Sequence, residues 1–270
     1  MRVLVTADLH LESSGPEPIR RLVAGMDRER PDLVVLGGDL GNPVGCWDEC
    51  LTCFLKLDCP IAVLPGNHDF WFGGGNKSED LYRRILPQRT RSMGFHWLED
   101  APMRLAGGVA IVGSVAWYDY SARAPYLKQT DEYIIKNKSK WAADAFRIDW
   151  PWDDFEFSDM CRARLRRQLE ELQADESVRE ILVVTHVPLF EEQLERRPED
   201  ENWDAGTAFF GNLTIGGDVR EFSKVRYVIS GHTHNGMSDT VERDGMLPIE
   251  ALVVPSDYLR PRWITVDFDQ

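Results

Sequence analysis

Residues 33–69 read LVVLGGDLGNPVGCWDECLTCFLKLDCPIAVLPGNHD. Two wholly apolar runs, Leu33 to Leu36 and Ile61 to Leu64, stand near its ends. Each is strand-sized and far too short to span a membrane. Between them, Cys46 to Leu57 reads as a helix in which Leu51, Phe54, Leu55 and Leu57 surround the cysteines. Each run leads into a polar loop, Gly38-Asp39 after the first and Gly66-Asn67-His68-Asp69 after the second. Buried strand, polar loop, helix, buried strand is the repeating unit of a mostly parallel sheet covered by helices.

The unit repeats toward the N-terminus. Arg2 to Thr6 reads as another buried strand, and Pro18 to Arg30 follows with Ile19, Leu22, Val23 and Met26 on one helical face. Asn76-Lys77-Ser78-Glu79 reads as a helix start, with Asn76 as the cap and Glu79 reaching back. The second half is richer in strands: Val109 to Val115, Ile181 to Thr185, Arg226 to Ser230, Ile249 to Val254 and Trp263 to Phe268. Short connections near the C-terminus predict antiparallel pairing there. Ser158 is read as the cap of a helix running to about Gln173, with Leu165, Leu169 and Leu172 toward the core.

Two stretches break the pattern. Residues 117–157 include Trp117, Tyr118, Tyr120, Trp141, Trp150 and Phe157, and a loop this aromatic is read as an inserted cap packed on the domain. Glu191 to Asp204 reads as irregular, with seven acidic residues against Arg196 and Arg197. Without repeats or low-complexity linkers, residues 1–270 are expected to form a single domain with an insertion at about 117–157.

The composition, 43% hydrophobic and 28% charged, is that of a soluble globular chain. Met1-Arg2 passes straight into the first strand and leaves no room for a signal-peptide core, so a cytoplasmic location without membrane attachment is expected. The formal net charge of −14 disfavours nucleic acid as a partner. Cys46, Cys50, Cys53 and Cys59 lie within fourteen residues, and the C-x-x-C spacing of Cys50 and Cys53 invites a zinc reading. Their apolar neighbours favour buried reduced thiols instead, and Cys161 makes the count odd, against a disulfide framework.

Five of the six histidines fall in short motifs that each follow a predicted strand. The motifs are Asp8-Leu9-His10, Gly38-Asp39, Gly66-Asn67-His68-Asp69, Thr185-His186-Val187-Pro188 and Gly231-His232-Thr233-His234. Ligands gather at the carboxyl ends of strands in open α/β sheets. Carboxylates, imidazoles and an amide oxygen suit manganese, iron, zinc or cobalt. Asp8 and His10 are read as alternating on an extended strand end, pointing to one face, and His232 and His234 likewise. Glycine before Asn67 and before His232 lets backbone approach closely. Asp39 can bridge two metals through its two oxygens. His96 is read as a strand residue without a catalytic role.

Together these motifs resemble the signature of the calcineurin-like metallophosphoesterase superfamily: D-x-H, GD, GNH[D/E], H and GHxH in that order. The resemblance runs from Asp8 to His234 and implies a four-layer α/β/β/α sandwich with two central mixed sheets. It implies two divalent metal ions, with Asp8, His10 and His234 on the first, Asn67, His186 and His232 on the second, and Asp39 between them. It implies that His68 contacts the phosphate and assists the leaving group. Beside it, Asp69 is read either as orienting His68 in catalysis or as capping the next segment. The reaction expected is hydrolysis of a phosphate mono- or diester by a hydroxide held between the two metals.

Departures narrow the substrate. Gly38-Asp39-Leu40-Gly41-Asn42-Pro43-Val44 lacks the GDxVDRG of the superfamily's protein serine/threonine phosphatases. The motif string is also similar to class III cyclic-nucleotide phosphodiesterases, the alternative to a small organic phosphate. A nuclease of the superfamily sits poorly with the charge. A non-catalytic scaffold of the same fold would have lost ligands, and all are present.

Overall fold

In the computed structural model, which describes residues 1–269, the apolar runs become two central sheets. The strands are β1 (Arg2–Thr6), β2 (Leu33–Gly37), β3 (Ile61–Leu64), β4 (His96–Trp97), β5 (Met103–Arg104), β6 (Val109–Ser114), β7 (Glu180–Thr185), β8 (Val225–Ser230), β9 (Ser238–Val241), β10 (Ile249–Val253) and β11 (Ile264–Asp267). One sheet has the order β11-β1-β2-β3-β4, the other β5-β6-β7-β8-β10-β9. Both are mixed. Strands β1 to β4 run parallel with β11 antiparallel at the edge. In the second sheet β6, β7, β8 and β10 are parallel, and β5 and β9 are antiparallel edges. Antiparallel pairing near the C-terminus thus holds for β9 with β10 and β1 with β11, but β10 lies parallel to β8 because β9 carries the chain back first.

The strands read as unbroken apolar runs because both faces are buried. Val3, Val5, Leu33 and Val35 face Ile111, Leu182, Val184 and Ile229 between the sheets. Their neighbours Leu4, Val34, Leu36, Val112 and Val183 point outward beneath the helices. The helices α1 (Pro16–Arg28) and α2 (Val44–Phe54) join β1 to β2 and β2 to β3, while α3 (Asp154–Ala174) precedes β7 and α4 (Leu213–Val219) precedes β8. Cys50 and Cys161 are fully buried on α2 and α3. No helix among the described residues is long and apolar enough to cross a membrane.

Three local readings change. Asn76 is no helix cap: it closes a turn with Gly73, and the helix begins at Ser78, whose N–H donates to Asp149 Oδ1 at 2.7 Å. Ser158 lies inside α3, which starts four residues earlier behind an Asp153–Glu156 capping box. The last residues of the aromatic stretch therefore form the first turn of α3. Finally, the acidic stretch is not wholly irregular, since Asp200 caps a short helix, Glu201–Gly206.

The aromatic stretch is largely a packing element. Trp117, Tyr118 and Phe157 are fully buried, and Trp117 meets both Trp150 and Phe157 edge-on. Phe146 and Tyr133 remain exposed.

Candidate metal centre

The five motifs converge where the parallel strands of both sheets end. Asp8 and His10 follow β1, Asp39 follows β2, Asn67 and His68 follow β3, His186 follows β7, and His232 and His234 follow β8. The loops lace together: Asp8 N–H donates to Gly38 O at 3.0 Å, and His10 N–H to Asp39 O at 2.9 Å. Across the sheets, His232 N–H donates to both oxygens of Asp8 at 2.9 and 3.0 Å.

The alternating residues do not converge by extended geometry. Asp8, His10, Asp39, His232 and His234 have φ of 58°, 40°, 53°, 70° and 59°, in the left-handed region. Each such non-glycine residue costs about 1 kcal/mol or more and persists only where its surroundings impose it. The left-handed turns fold each loop back over the strand ends, which an extended continuation would not do. The motif glycines act by close approach: a Cβ on Gly66 would overlap the Asp39 carboxylate, and one on Gly231 would lie 2.5 Å from Asp8 Oδ2.

Donor atoms gather in overlapping groups. Asp8, His10 and His234 form one, Asp39, His186 and His232 another, with ligand atoms within 4.8 Å of one another in each. Asp39 stands between them, Oδ2 lying 3.5 Å from His10 Nε2 and Oδ1 lying 3.4 Å from His186 Nε2. Backbone carbonyls select which imidazole nitrogen faces inward. His186 Nδ1 lies 3.0 Å from Gly37 O, His232 Nε2 3.0 Å from Phe209 O, and His234 Nδ1 3.0 Å from Ser256 O. In a neutral ring, a nitrogen that donates to a carbonyl leaves the other with a free lone pair. The inward nitrogens of His186 and His232 each lie 3.1 Å from Asn67 Oδ1.

This arrangement fits a cation. His10 is completely buried, yet neither of its ring nitrogens has a hydrogen-bond partner among the described residues. Glu12 Oε1 stands 3.4 Å from its Nδ1, near enough for charge attraction but out of line for a bond. Burial would lower His10, but Glu12, Asp39 and Asp8 outweigh it and lift the ring to about 9. Burial would likewise lower His186, and Asp39 lifts it to about 9. Burial and the His186 charge push His232 down to about 4. Burial alone would raise Asp39, but the surrounding histidines hold it well below the usual carboxylate range. The carboxylates of the site thus favour positive charge at His10 and His186.

His68 belongs to neither of these two but forms a third group with His10 and Asp39, its Nε2 4.0 Å from Asp39 Oδ2. Its side chain is 24% exposed, and its ring stacks on Trp71 at 3.7 Å and meets His10 edge-on at 4.8 Å. Its N–H donates to Asp39 Oδ1 at 2.9 Å. Asp69 does not orient His68. Its buried carboxylate accepts the backbone N–H groups of Asp39, Leu40, Gly41 and Gly66 at 2.8 to 3.0 Å, so it clamps two motif loops together. His96 pairs through β4 and its Nε2 lies 2.7 Å from Ala101 O, away from the centre.

Two neighbours carry no motif signal. Tyr258 stacks on His234 at 5.0 Å and lies 4.8 Å from His10, roofing the first group. Asp144 accepts from Asn67 Nδ2 at 3.1 and 3.2 Å.

The family model for calcineurin-like phosphoesterases matches residues 1–236, every motif included. The chain belongs to the calcineurin-like phosphoesterase family. It is a metal-dependent phosphoesterase of that family, and its two mixed sheets flanked by helices are the fold of solved relatives. Phosphopantetheinyl hydrolase from Mycobacterium tuberculosis is similar over 97% of this phosphoesterase and 95% of its own chain, at 20% identity and a TM-score of 0.72. A dimetal phosphatase from Danio rerio is similar over 98% and 91%, at 15% identity and a TM-score of 0.59. No curated protein sequence matches the chain at a significant level.

Proposed function

We propose that this phosphoesterase hydrolyses mono- or diesters of a small organic phosphate with a pair of divalent cations (manganese, iron, zinc or cobalt). The observation that carries the reading is Asp39, buried between two donor groups with one oxygen toward each. Asp8, His10 and His234 would hold the first cation, Asn67, His186 and His232 the second, and Asp39 both. When bound, the cations supply a water activated at neutral pH and offset charge developing on the phosphoryl oxygens.

The chain's own groups do the rest. The Gly37, Phe209 and Ser256 carbonyls hold three imidazoles in the tautomers that turn lone pairs inward. Asp69 keeps the Asp39 and Asn67 loops at fixed separation. Burial lowers the His68 ring below the usual histidine range, so this residue, partly exposed and braced by Trp71, is placed to give a hydrogen bond to the leaving oxygen, and a proton where the bound phosphate's charge offsets that burial. The aromatic segment 117–157 would select what enters.

A phosphopantetheinyl ester is the second reading. It is favoured by the extent of the likeness to phosphopantetheinyl hydrolase, which spans 97% of this chain. A nucleotide or cyclic nucleotide is the third candidate, for which Phe72 and Phe210 offer stacking faces. The test loads the protein with manganese and compares turnover of an aryl phosphate monoester, a bis-aryl diester, a phosphopantetheinyl ester and a cyclic nucleotide. Turnover of any one, abolished by chelation, supports the reaction and ranks the substrates. Inertness toward all of them would count against the proposal.

A further inference from the structure

Asp144 belongs to the aromatic segment, 77 residues from Asn67, and is 3% exposed. Its carboxylate collects donors from three side chains. Asn67 Nδ2 lies 3.1 Å from Oδ1 and 3.2 Å from Oδ2, Trp71 Nε1 donates to Oδ1 at 2.6 Å, and the Tyr118 hydroxyl donates to Oδ2 at 3.0 Å. An ionised carboxylate only accepts, so it can serve all three at once.

The two ends of an asparagine amide are nearly equal in size, and only hydrogen bonds decide which end faces where. At Asn67 the choice matters. With Oδ1 inward, the amide oxygen joins the inward nitrogens of His186 and His232 around one point, and with both rings neutral these three acceptors would hold a cation. With Nδ2 inward, its hydrogens would bond both imidazoles and fill that point. Asp144 settles the choice by accepting from Nδ2. Through Trp71 the same carboxylate fixes the indole on which His68 stacks.

We infer that Asp144 is the positioning residue that commits Asn67 to the second cation, so that loading of this cation depends on the seating of the aromatic segment. The inference rests on the proposed role of Asn67 as a ligand.

The test is a manganese titration of the full chain by calorimetry, with electron paramagnetic resonance counting bound ions. Wild type should bind two. Asp144→Asn presents an amide that cannot accept from all three donors. It should weaken the second ion about 10- to 100-fold and leave the first near wild type. The swap Asn67→Asp with Asp144→Asn restores a carboxylate–amide pair in the opposite sense and should recover the second ion. Wild type that binds no ion would strike the proposed function itself. Two ions at unchanged affinity in Asp144→Asn would overturn only the inference, as would equal weakening of both ions without recovery in the swap. Should Asp144→Asn fail to fold, the swap is compared with Asn67→Asp alone, which sets two carboxylates face to face. Tighter binding of the second ion by the swap upholds the inference, and equal affinity overturns it.

Discussion

Asp69 Oδ2 accepts the backbone N–H of Asp39 at 2.8 Å, which makes one motif's last residue the anchor of another's bridging carboxylate. The same carboxylate holds Leu40, Gly41 and Gly66, so Asp69→Ala strands four buried N–H groups at once. A buried unsatisfied donor costs about 1–3 kcal/mol. Asp69→Ala should therefore be less stable by at least roughly that much. Chemical denaturation of metal-free and manganese-loaded protein checks this, and unchanged stability in both forms would refute the clamp.

Asp39→Asn removes the charge shared by both donor groups. The variant should bind neither cation tightly and lose most activity. Metal analysis after gel filtration reads the result; full occupancy with turnover would show that Asp39 is not the bridge.

His68→Ala should keep both cations, because each proposed ligand set is complete without the His68 ring, although that ring stands near His10 and Asp39. Turnover should fall about 10²- to 10⁴-fold, the range for losing a positioned proton donor. The fall should be smaller for substrates whose leaving group needs no proton, such as a nitrophenolate. An equal loss for both kinds of substrate argues for a binding role instead.

Chelation should lower the melting temperature, since a cation bound at a thousand times its Kd stabilises the fold by about 4 kcal/mol. Without a cation, His10 and His186 keep their protons up to about pH 9. Their raised values stabilise the metal-free fold below the ordinary histidine range, and that contribution is lost as pH rises through about 9. A cation displaces those protons, so its affinity should rise with pH toward 9 and proton release should accompany binding. Calorimetry in buffers of different ionisation enthalpy measures the release; none at pH 7 contradicts the assignment.

Gly231→Ala places a methyl group 2.5 Å from Asp8 Oδ2 and 2.6 Å from Ala7 Cβ. The first cation should weaken more than the second. Wild-type affinity at both would mean that the loop relaxes freely.

Much of the site is legible in the chain because ligands in a layered α/β fold sit at strand ends. An apolar run followed by Asp39, by Asn67-His68 or by His232-x-His234 marks both the strand and its functional loop. The burial of the strands on both faces is equally visible, as unbroken runs of valine, leucine and isoleucine. Helix caps can depend on partners that lie far off in the chain. Asn76 resembles one, but Asp149 of a distant segment completes the helix start at Ser78 and leaves Asn76 to a turn. Asp69 reads from its place beside His68 as a residue that orients it or caps the next segment, although three of its four bonds run to backbone 28 to 30 residues upstream.

Along the chain, the motifs name candidate metal ligands, the order in which the strands present them, and the reaction class they imply. Only the tertiary structure decided how they point: the left-handed turns at Asp8, His10, Asp39, His232 and His234, the carbonyls that choose each imidazole's tautomer, and the hold of Asp144 on Asn67. The physical reason is range. Strand periodicity and loop chemistry act between near neighbours in the chain and leave a local pattern. Orientation of a buried polar group depends on hydrogen-bond partners brought from 77 or 149 residues away, as for Asn67 with Asp144 and His186 with Gly37, and no local pattern records them.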